Sequence, residues 1–192
     1  MRVAFKFVAS CVLALGAHVG AASAFPIAST GAGLEVIVGG TDPVIATYQG
    51  NSAAYSNNLY LVTDDGIPGN DIFIFNNHGN SPGDTKDLGS FAVGTVLIFR
   101  LEVTNTGFDY FTGPASRNPD NQIHALVEEN WLPNTTLVSF EDLFNGPFVY
   151  NDLSFSFTNT VTTAPTGVPE PATLLLLGSG LLGLAAIRRR IA

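Results

Sequence analysis

The sequence predicts an all-β fold, an antiparallel β-sandwich or jelly roll formed by one domain. Two observations lead to this prediction: short segments in which apolar and polar residues alternate, and Gly, Pro and Asn clusters that separate these segments. No amphipathic run of helical period longer than about ten residues is present between them. Many short strands joined by such turns are typical of β-sandwiches.

Six segments are predicted to form strands, and these are residues 59–62, 71–75, 95–103, 122–127, 136–140 and 153–158. The last segment alternates strictly. Leu153, Phe155 and Phe157 are expected to face the core, while the Ser and Thr residues between them face solvent. The clusters at residues 64–70 and 76–84, rich in Gly, Pro and Asn, are predicted to be turns. The loops at residues 64–71 and 76–87 are also rich in oxygen ligands, but neither matches the calcium-binding loop of an EF-hand.

The first 24 residues have the parts of a cleavable signal peptide. Arg2 and Lys6 form a positive end, an apolar stretch runs from Phe7 to about Val19, and small residues occupy the two positions that a signal peptidase reads, Ala22 and Ala24. The apolar stretch is short for a permanent span, which takes about 20 residues. We therefore expect export through the Sec translocon and cleavage by signal peptidase after Ala24.

The C-terminus consists of a short motif, an apolar run and a basic cluster. The apolar run covers residues 172–187, which is 16 uncharged residues and predicts a short transmembrane helix. The basic cluster orients this helix with its C-terminus in the cytoplasm. The motif is Pro169, Glu170 and Pro171, and the cluster is Arg188, Arg189 and Arg190.

These three parts, in this order, resemble the PEP-CTERM sorting signal of Gram-negative bacteria over residues 168–192. Such signals are recognised by an exosortase, a membrane-embedded cysteine protease-transpeptidase. The resemblance implies a transient anchor in the inner membrane, cleavage near residues 169–171, and then release or attachment to the cell surface or extracellular matrix. It also implies an association with exopolysaccharide and biofilm formation.

Between the tags, residues 25–159 form the predicted domain and the Thr/Pro-rich residues 160–167 a linker. This central region carries fifteen of the sixteen acidic residues but only three basic ones, a net charge of about −12. Such a charge argues against nucleic acid and anionic lipid as partners. Cys11, the sole cysteine, leaves with the signal peptide, which excludes disulfides and thiolate chemistry in the mature chain.

Four oxygen-bearing side chains flank one predicted turn. Glu141 and Asp142 follow a predicted strand, a Gly-Pro turn comes next, and Asn151 and Asp152 precede the following strand. If the strands form a hairpin, these side chains face one another across its mouth, and calcium accepts six to eight such oxygens. Alternatively, the same side chains bond only the backbone amides of the loop. Calcium and a purely structural turn both remain open.

The pairing of Phe-Glu-Asp-Leu at residues 140–143 with Tyr-Asn-Asp-Leu at residues 150–153 resembles the C-terminal signature of a β-rich domain family. That family has no defined function and occurs in PEP-CTERM proteins and large bacterial surface adhesins. The resemblance covers roughly residues 91–160. It implies no known enzyme activity. The two tags, the acidic all-β composition and the acids of the hairpin together lead us to expect a structural or adhesive role.

Motifs for catalysis are lacking in the sequence. Only His78 and His124 remain after processing, and no metalloprotease, nucleophile-elbow or phosphate-loop pattern is present. We therefore expect a non-enzymatic protein, with calcium as the one candidate cofactor. The alternative is a secreted carbohydrate-binding module or a polysaccharide-acting β-sandwich hydrolase, in which Trp131 and Tyr110 stack on sugar rings.

Overall fold

The computed structural model describes residues 24–63 and 69–163. In these ranges the chain forms twelve β-strands and one single-turn 3-10 helix, so the all-β prediction is confirmed. None of the described segments is a helix of the length and apolar character that a membrane span requires. In chain order the elements are β1 Val36–Val38, β2 Ile45–Asn51, β3 Asn57–Leu61, β4 Ile72–Asn76, β5 Thr85–Asp87, β6 Val96–Leu97, β7 Phe99–Val103, β8 Phe108–Phe111, the 3-10 helix Ala115–Arg117, β9 Ala125–Leu132, β10 Thr135–Phe140, β11 Leu153–Thr158 and β12 Thr160–Val161.

The strands form three antiparallel sheets. The largest has the order β5-β2-β11-β10-β9, the second has the order β4-β3-β7-β8, and a small sheet joins β12, β1 and β6. The predicted strand at residues 95–103 is divided between two sheets, because β6 pairs with β1 whereas β7 pairs with β3 and β8.

The two larger sheets pack face to face through aromatic side chains. Phe99 of β7 stacks on Phe157 of β11 with ring centroids 3.9 Å apart. Phe75 of β4 contacts both Tyr48 of β2 and Phe155 of β11, at 5.9 and 6.1 Å. All five rings are buried, and aromatic residues contribute the largest apolar areas to a core. This packing gives the domain a core that needs no disulfide.

Strand β11 differs from the prediction in its exposure. Its alternation suggested one face in water, but Ser154 and Ser156 are buried as well. The reason is that β11 lies at the centre of the five-stranded sheet and other segments cover its outer face. Ser139 Oγ accepts from the backbone N–H of Ala28 at 2.8 Å and lies 2.6 Å from Ser154 Oγ, while Gln49 donates to Ser156 Oγ at 2.8 Å.

The ordered sheet continues past the predicted end of the domain. Strand β12 occupies Thr160 and Val161, the first two residues of the predicted linker, and pairs with β1. Thr160 is buried, and its hydroxyl lies 2.8 Å from that of Thr136 on β10. Thr160, which was predicted to lie in the linker, therefore packs against Thr136 of a predicted strand.

The pairing of β10 with β11 positions the candidate site. The two strands are in register from Thr135 opposite Thr158 to Phe140 opposite Leu153. The connection at residues 141–152 therefore leaves and re-enters the sheet at one end. Asn57, the first residue of β3 in the opposing sheet, lies at that same end and bonds Asp142.

Candidate metal centre

Three of the four predicted metal-ligating residues come together at the base of the β10–β11 connection. Glu141 and Asp142 directly follow β10, and Asp152 directly precedes β11. Each offers one carboxylate oxygen, and these oxygens all lie within 4.8 Å of one another. The fourth residue, Asn151, contacts the structure through its carbonyl oxygen, which accepts hydrogen bonds from the backbone and side chain of Ser52 at 3.1 and 2.7 Å.

The connection folds back over Glu141. Val149 donates its backbone N–H to Glu141 Oε2 at 3.0 Å. On the other side of the carboxylate, a Cβ atom at Gly146 would lie 2.8 Å from Glu141 Oε1, so only glycine allows the backbone to approach this closely. Asn145 has a positive φ of 51°, a conformation that Asn adopts more readily than most residues. The Asn-Gly pair in the sequence therefore has a local structural reason.

Burial dominates the electrostatics of the cluster. Glu141 and Asp142 are only 1% and 3% exposed. Burial, and after it the charge of Asp152, raise the pKa of Glu141, although backbone N–H groups of the loop oppose the change. Burial is also the main reason that the pKa of Asp142 rises to about 6; a hydrogen bond from Asn57 partly offsets it, and the charges of Asp152 and Glu141 add to it. The site thus holds negative charge at a cost in free energy.

The described Lys and Arg side chains are all engaged elsewhere. Arg100 pairs with Asp71 and Asp109 at 3.0 and 2.9 Å, and Arg117 pairs with Glu35 at 2.7 Å. Lys86 donates from Nζ to the backbone carbonyl oxygen of Phe73 on β4. Within residues 24–63 and 69–163, therefore, no Lys or Arg forms an ion pair with the cluster.

A histidine lies beneath the cluster, and sequence reasoning did not connect it with the acids. His124 Nδ1 donates to the carbonyl oxygen of Glu141 at 2.8 Å, and Nε2 lies 2.8 Å from Asp120 Oδ2. The imidazole is fully buried and stacks on Tyr110 at a centroid distance of 3.7 Å. Both ring nitrogens face oxygen atoms, so neither is left for a metal ion. The spacing of Asp120 and His124, four residues apart, was the one sequence signal for this pair.

The pKa of Asp120 is lowered, whereas the pKa values of Glu141 and Asp142 are raised. Burial alone would raise its pKa, but hydrogen bonds from the backbone of Asn145, from His124 and from the backbone of Gln122 together lower it. Asn145 N lies 2.9 Å from Asp120 Oδ2, so this carboxylate also ties down the β10–β11 connection. Asp120 is thus a charged, fully satisfied anchor, whereas Glu141 and Asp142 retain unfavourable charge.

The second sheet contributes two further residues, Asn57 and Tyr110, which sequence reasoning did not connect with the acids. Asn57 donates from Nδ2 to Asp142 Oδ2 at 2.8 Å, and its Oδ1 has no hydrogen-bond partner among the described residues. The hydroxyl of Tyr110 is likewise buried without one. Asn57 is 85 positions from Asp142 in the chain. No local pattern predicts that contact. Tyr110 itself is fully buried, so it offers no exposed platform for a sugar ring.

The predicted sorting residues lie outside the described part of the chain. This applies to Ala22, to Pro169, Glu170 and Pro171, to the helix at residues 172–187, and to the cluster Arg188, Arg189 and Arg190. Ala24, the predicted last residue of the signal peptide, is the first described residue and is exposed.

Comparison with known proteins identifies the C-terminal segment. Residues 167–190 match the family described as PEP-CTERM protein-sorting motif. This agrees with the resemblance that the Pro-Glu-Pro motif, the apolar run and the arginine cluster carry. No curated protein and no solved structure gives a significant match. The motif marks the chain as an exported protein that an exosortase sorts, with a membrane-anchored C-terminal signal before cleavage.

The raised pKa of Asp142 predicts how pH acts on the metal-free protein. Because the folded state favours the protonated acid up to a pH of about 6, the ionised Asp142 lowers the free energy of unfolding at higher pH. We expect Asp142→Asn to be more stable than the wild type at pH 7.5 in EDTA, by roughly 2 to 3 kcal/mol. The difference should shrink as the pH falls from about 6 towards 3.8, the ordinary pKa of the Asp side chain, because the wild-type acid becomes protonated in both states only below that value.

Urea unfolding at half-unit pH steps measures this difference. Asp84→Asn is the matched control, because Asp84 is exposed and its pKa is lowered by hydrogen bonds from Asn80 and the Ser81 backbone. A constant difference between Asp142→Asn and the wild type across the whole range would contradict the assignment.

Proposed function

We propose that this PEP-CTERM protein carries a non-catalytic β-sandwich domain that binds calcium and has a structural or adhesive role at the cell surface or in the extracellular matrix. One observation carries the proposal, the convergence of carboxylate oxygens from Glu141, Asp142 and Asp152 in a site that no described Lys or Arg neutralises. The Sec translocon and signal peptidase bring the chain out of the cytoplasm, and the exosortase completes its sorting.

The chemistry of the donor set favours a hard divalent cation. Carboxylate oxygens are the ligands that calcium prefers, and two oxygens bound to one calcium ion are at most about 5 Å apart. The cluster meets this condition. A divalent ion would also remove the repulsion between Glu141, Asp142 and Asp152, which adds to the effect of burial in raising the pKa values of Glu141 and Asp142. Magnesium fits less well, because it requires shorter, near-ideal octahedral bonds and retains its water.

The acidic site and the connection to the sorting tag lie at opposite ends of β11. Strand β11 begins beside Asp152 and ends at Thr158, about 20 Å away for a strand of six residues. The chain then forms β12 and continues towards the sorting motif at residues 167–190. The chain therefore reaches the acidic site from one end of β11 and the tag from the other end.

Two features support a non-catalytic domain over a hydrolase. Paired carboxylates that cleave glycosides must reach the substrate from both sides. Here Glu141 and Asp142 are adjacent and almost completely buried beneath the loop. His124, which could act as a general base, has both ring nitrogens engaged. Exopolysaccharide remains the expected surrounding medium rather than a substrate.

Calcium is expected to stabilise the domain. The thermal midpoint should rise when millimolar calcium replaces EDTA, because an ion that binds only the folded state adds RT ln(1 + [L]/Kd), about 2.7 kcal/mol at a hundredfold excess over Kd. Magnesium at the same concentration should have a much smaller effect. Asp152→Asn should lose most of the calcium-dependent shift, and Asp84→Asn should keep it. Equal midpoints of the wild type in calcium and EDTA would rule out the calcium part of the proposal.

Sorting is expected to remove the C-terminal segment. Mass spectrometry of the protein recovered from the cell surface or medium should detect peptides from the β-domain but none from Leu174 onward. A variant with Pro169, Glu170 and Pro171 replaced by Ala should keep the intact tail and stay in the inner membrane. Recovery of full-length wild-type chains at the surface would mean that the segment is a permanent anchor.

Catalysis on polysaccharides is expected to be absent. The purified protein should release no reducing ends from a panel of polysaccharides that includes the exopolysaccharide of the producing cells. Release that Glu141→Gln abolishes would instead identify a hydrolase. A glycan array run in parallel distinguishes a carbohydrate-binding module, which would bind glycans without releasing sugar, from a purely structural domain, which would bind none.

A further inference from the structure

We propose that the calcium site spans both sheets of the sandwich, with Asn57 of β3 supplying a ligand oxygen alongside Glu141, Asp142 and Asp152. This inference rests on the calcium part of the proposed function and extends it. The ion would then join the β10–β11 connection of one sheet to the first residue of β3 in the other.

The first observation is a pair of buried polar atoms without partners. Asn57 and Tyr110 are both 0% exposed, and Asn57 Oδ1 and the Tyr110 hydroxyl lack a hydrogen bond within the described residues. Leaving such an atom unpaired costs about 1–3 kcal/mol, so native proteins rarely do so. These two are the unpaired buried side-chain atoms found across residues 24–63 and 69–163, and both belong to the sheet that faces the acids.

The second observation places both residues at the cluster. The Asn57 amide touches Asp142 directly, through the 2.8 Å bond from Nδ2 to Oδ2. Burial, followed by the negative charges of Asp120, Asp142 and Glu141, raises the pKa of the Tyr110 hydroxyl above its usual range. The Tyr110 hydroxyl therefore borders the acids, and the Asn57 amide contacts them through its nitrogen. A cation and its bound water would supply partners for buried polar atoms at this end of the sandwich.

The amide of Asn57 can present either of its ends to the acids. Rotation by half a turn about its last side-chain bond exchanges Nδ2 and Oδ1 and leaves the shape of the side chain unchanged. With its nitrogen towards Asp142, the amide donates to a carboxylate, as the structure shows. With its oxygen in that place, it would repel the bare carboxylate but bind an ion held there, and Nδ2 would take the position that Oδ1 now occupies, where water is its partner. Three carboxylates and one amide oxygen, completed by water, supply the six to eight ligands that calcium takes.

The backbone around Asn57 makes it a fixed ligand position. Its N–H donates to Asn77 Oδ1 at 2.9 Å, and Asn77 in turn donates to the carbonyl of Tyr55 at 2.8 Å. The first residue of β3 is therefore held in place by hydrogen bonds that do not involve the acids. Because the position is fixed, binding of the ion would mainly restrain the β10–β11 connection against β3.

Calcium titration calorimetry on the full chain in mild detergent tests the inference. Asn57→Leu keeps the size of the side chain and removes its oxygen, so calcium affinity should fall by about tenfold or more. Asn57→Asp keeps an oxygen and removes the donor, so affinity should equal or exceed that of the wild type. In EDTA, Asn57→Asp should also melt below the wild type, because a fourth carboxylate joins the cluster.

Asn58→Leu is the matched control. Asn58 is the next residue on β3, faces away from the core and donates to Glu102 Oε2 at 2.9 Å. Its substitution should leave calcium affinity unchanged.

Asn57→Asp separates a ligand from a supporting residue. If Asn57 serves only as a donor to Asp142, Asn57→Leu and Asn57→Asp both lose that donor, and equal calcium affinities in the two variants would overturn the inference. Wild-type affinity in Asn57→Leu would overturn it as well, while the proposed function would stand as long as the wild type binds calcium and Asp152→Asn does not. A wild type that binds no calcium would overturn both.

Discussion

Burial of two adjacent carboxylates between β-sheets is the constraint on which this end of the domain depends. Glu141 and Asp142 are nearly inaccessible to water, and a charged group in that position is stable only when opposite charge or hydrogen-bond donors face it. The loop supplies some of these donors from its backbone, and Asn57 supplies another across the sandwich. The raised pKa values of both acids show that these donors compensate the burial only in part.

The residues around Glu141 and Asp142 hold these two carboxylates in place. Gly146 lets the backbone approach Glu141, and Asp120 bonds the loop from below through Asn145. His124 bridges Asp120 and the Glu141 carbonyl while stacked on Tyr110. The aromatic core between the two sheets provides the rigid base for this network. Since the mature chain contains no cysteine once the predicted signal peptide is removed, packing and the polar network must provide its stability.

The C-terminal sorting motif and the acidic composition of the central domain are consistent with each other. The sorting motif at residues 167–190 marks the domain for export from the cytoplasm. Extracellular calcium-binding modules have dissociation constants of about 10⁻⁴–10⁻³ M. An acidic domain of about −12 charge repels other polyanions, so a divalent ion is a natural counter-charge. In the proposed function, calcium therefore links the location of the protein to its stability, because the domain would bind the ion only after the sorting signal has directed the chain out of the cytoplasm.

The sequence by itself determined the sorting motif, the all-β class and the nearness of Glu141 and Asp142 to Asp152, because each depends on local pattern or on one hairpin. It did not reveal β1, β2, β5, β8 or β12, several of which are short or lack clear alternation. Only the tertiary structure decided that β11 is buried on both faces and that Asn57 meets Asp142. Contacts between sheets join residues far apart in the chain, and no spacing rule within a strand encodes which residues of the opposite sheet will lie across from it.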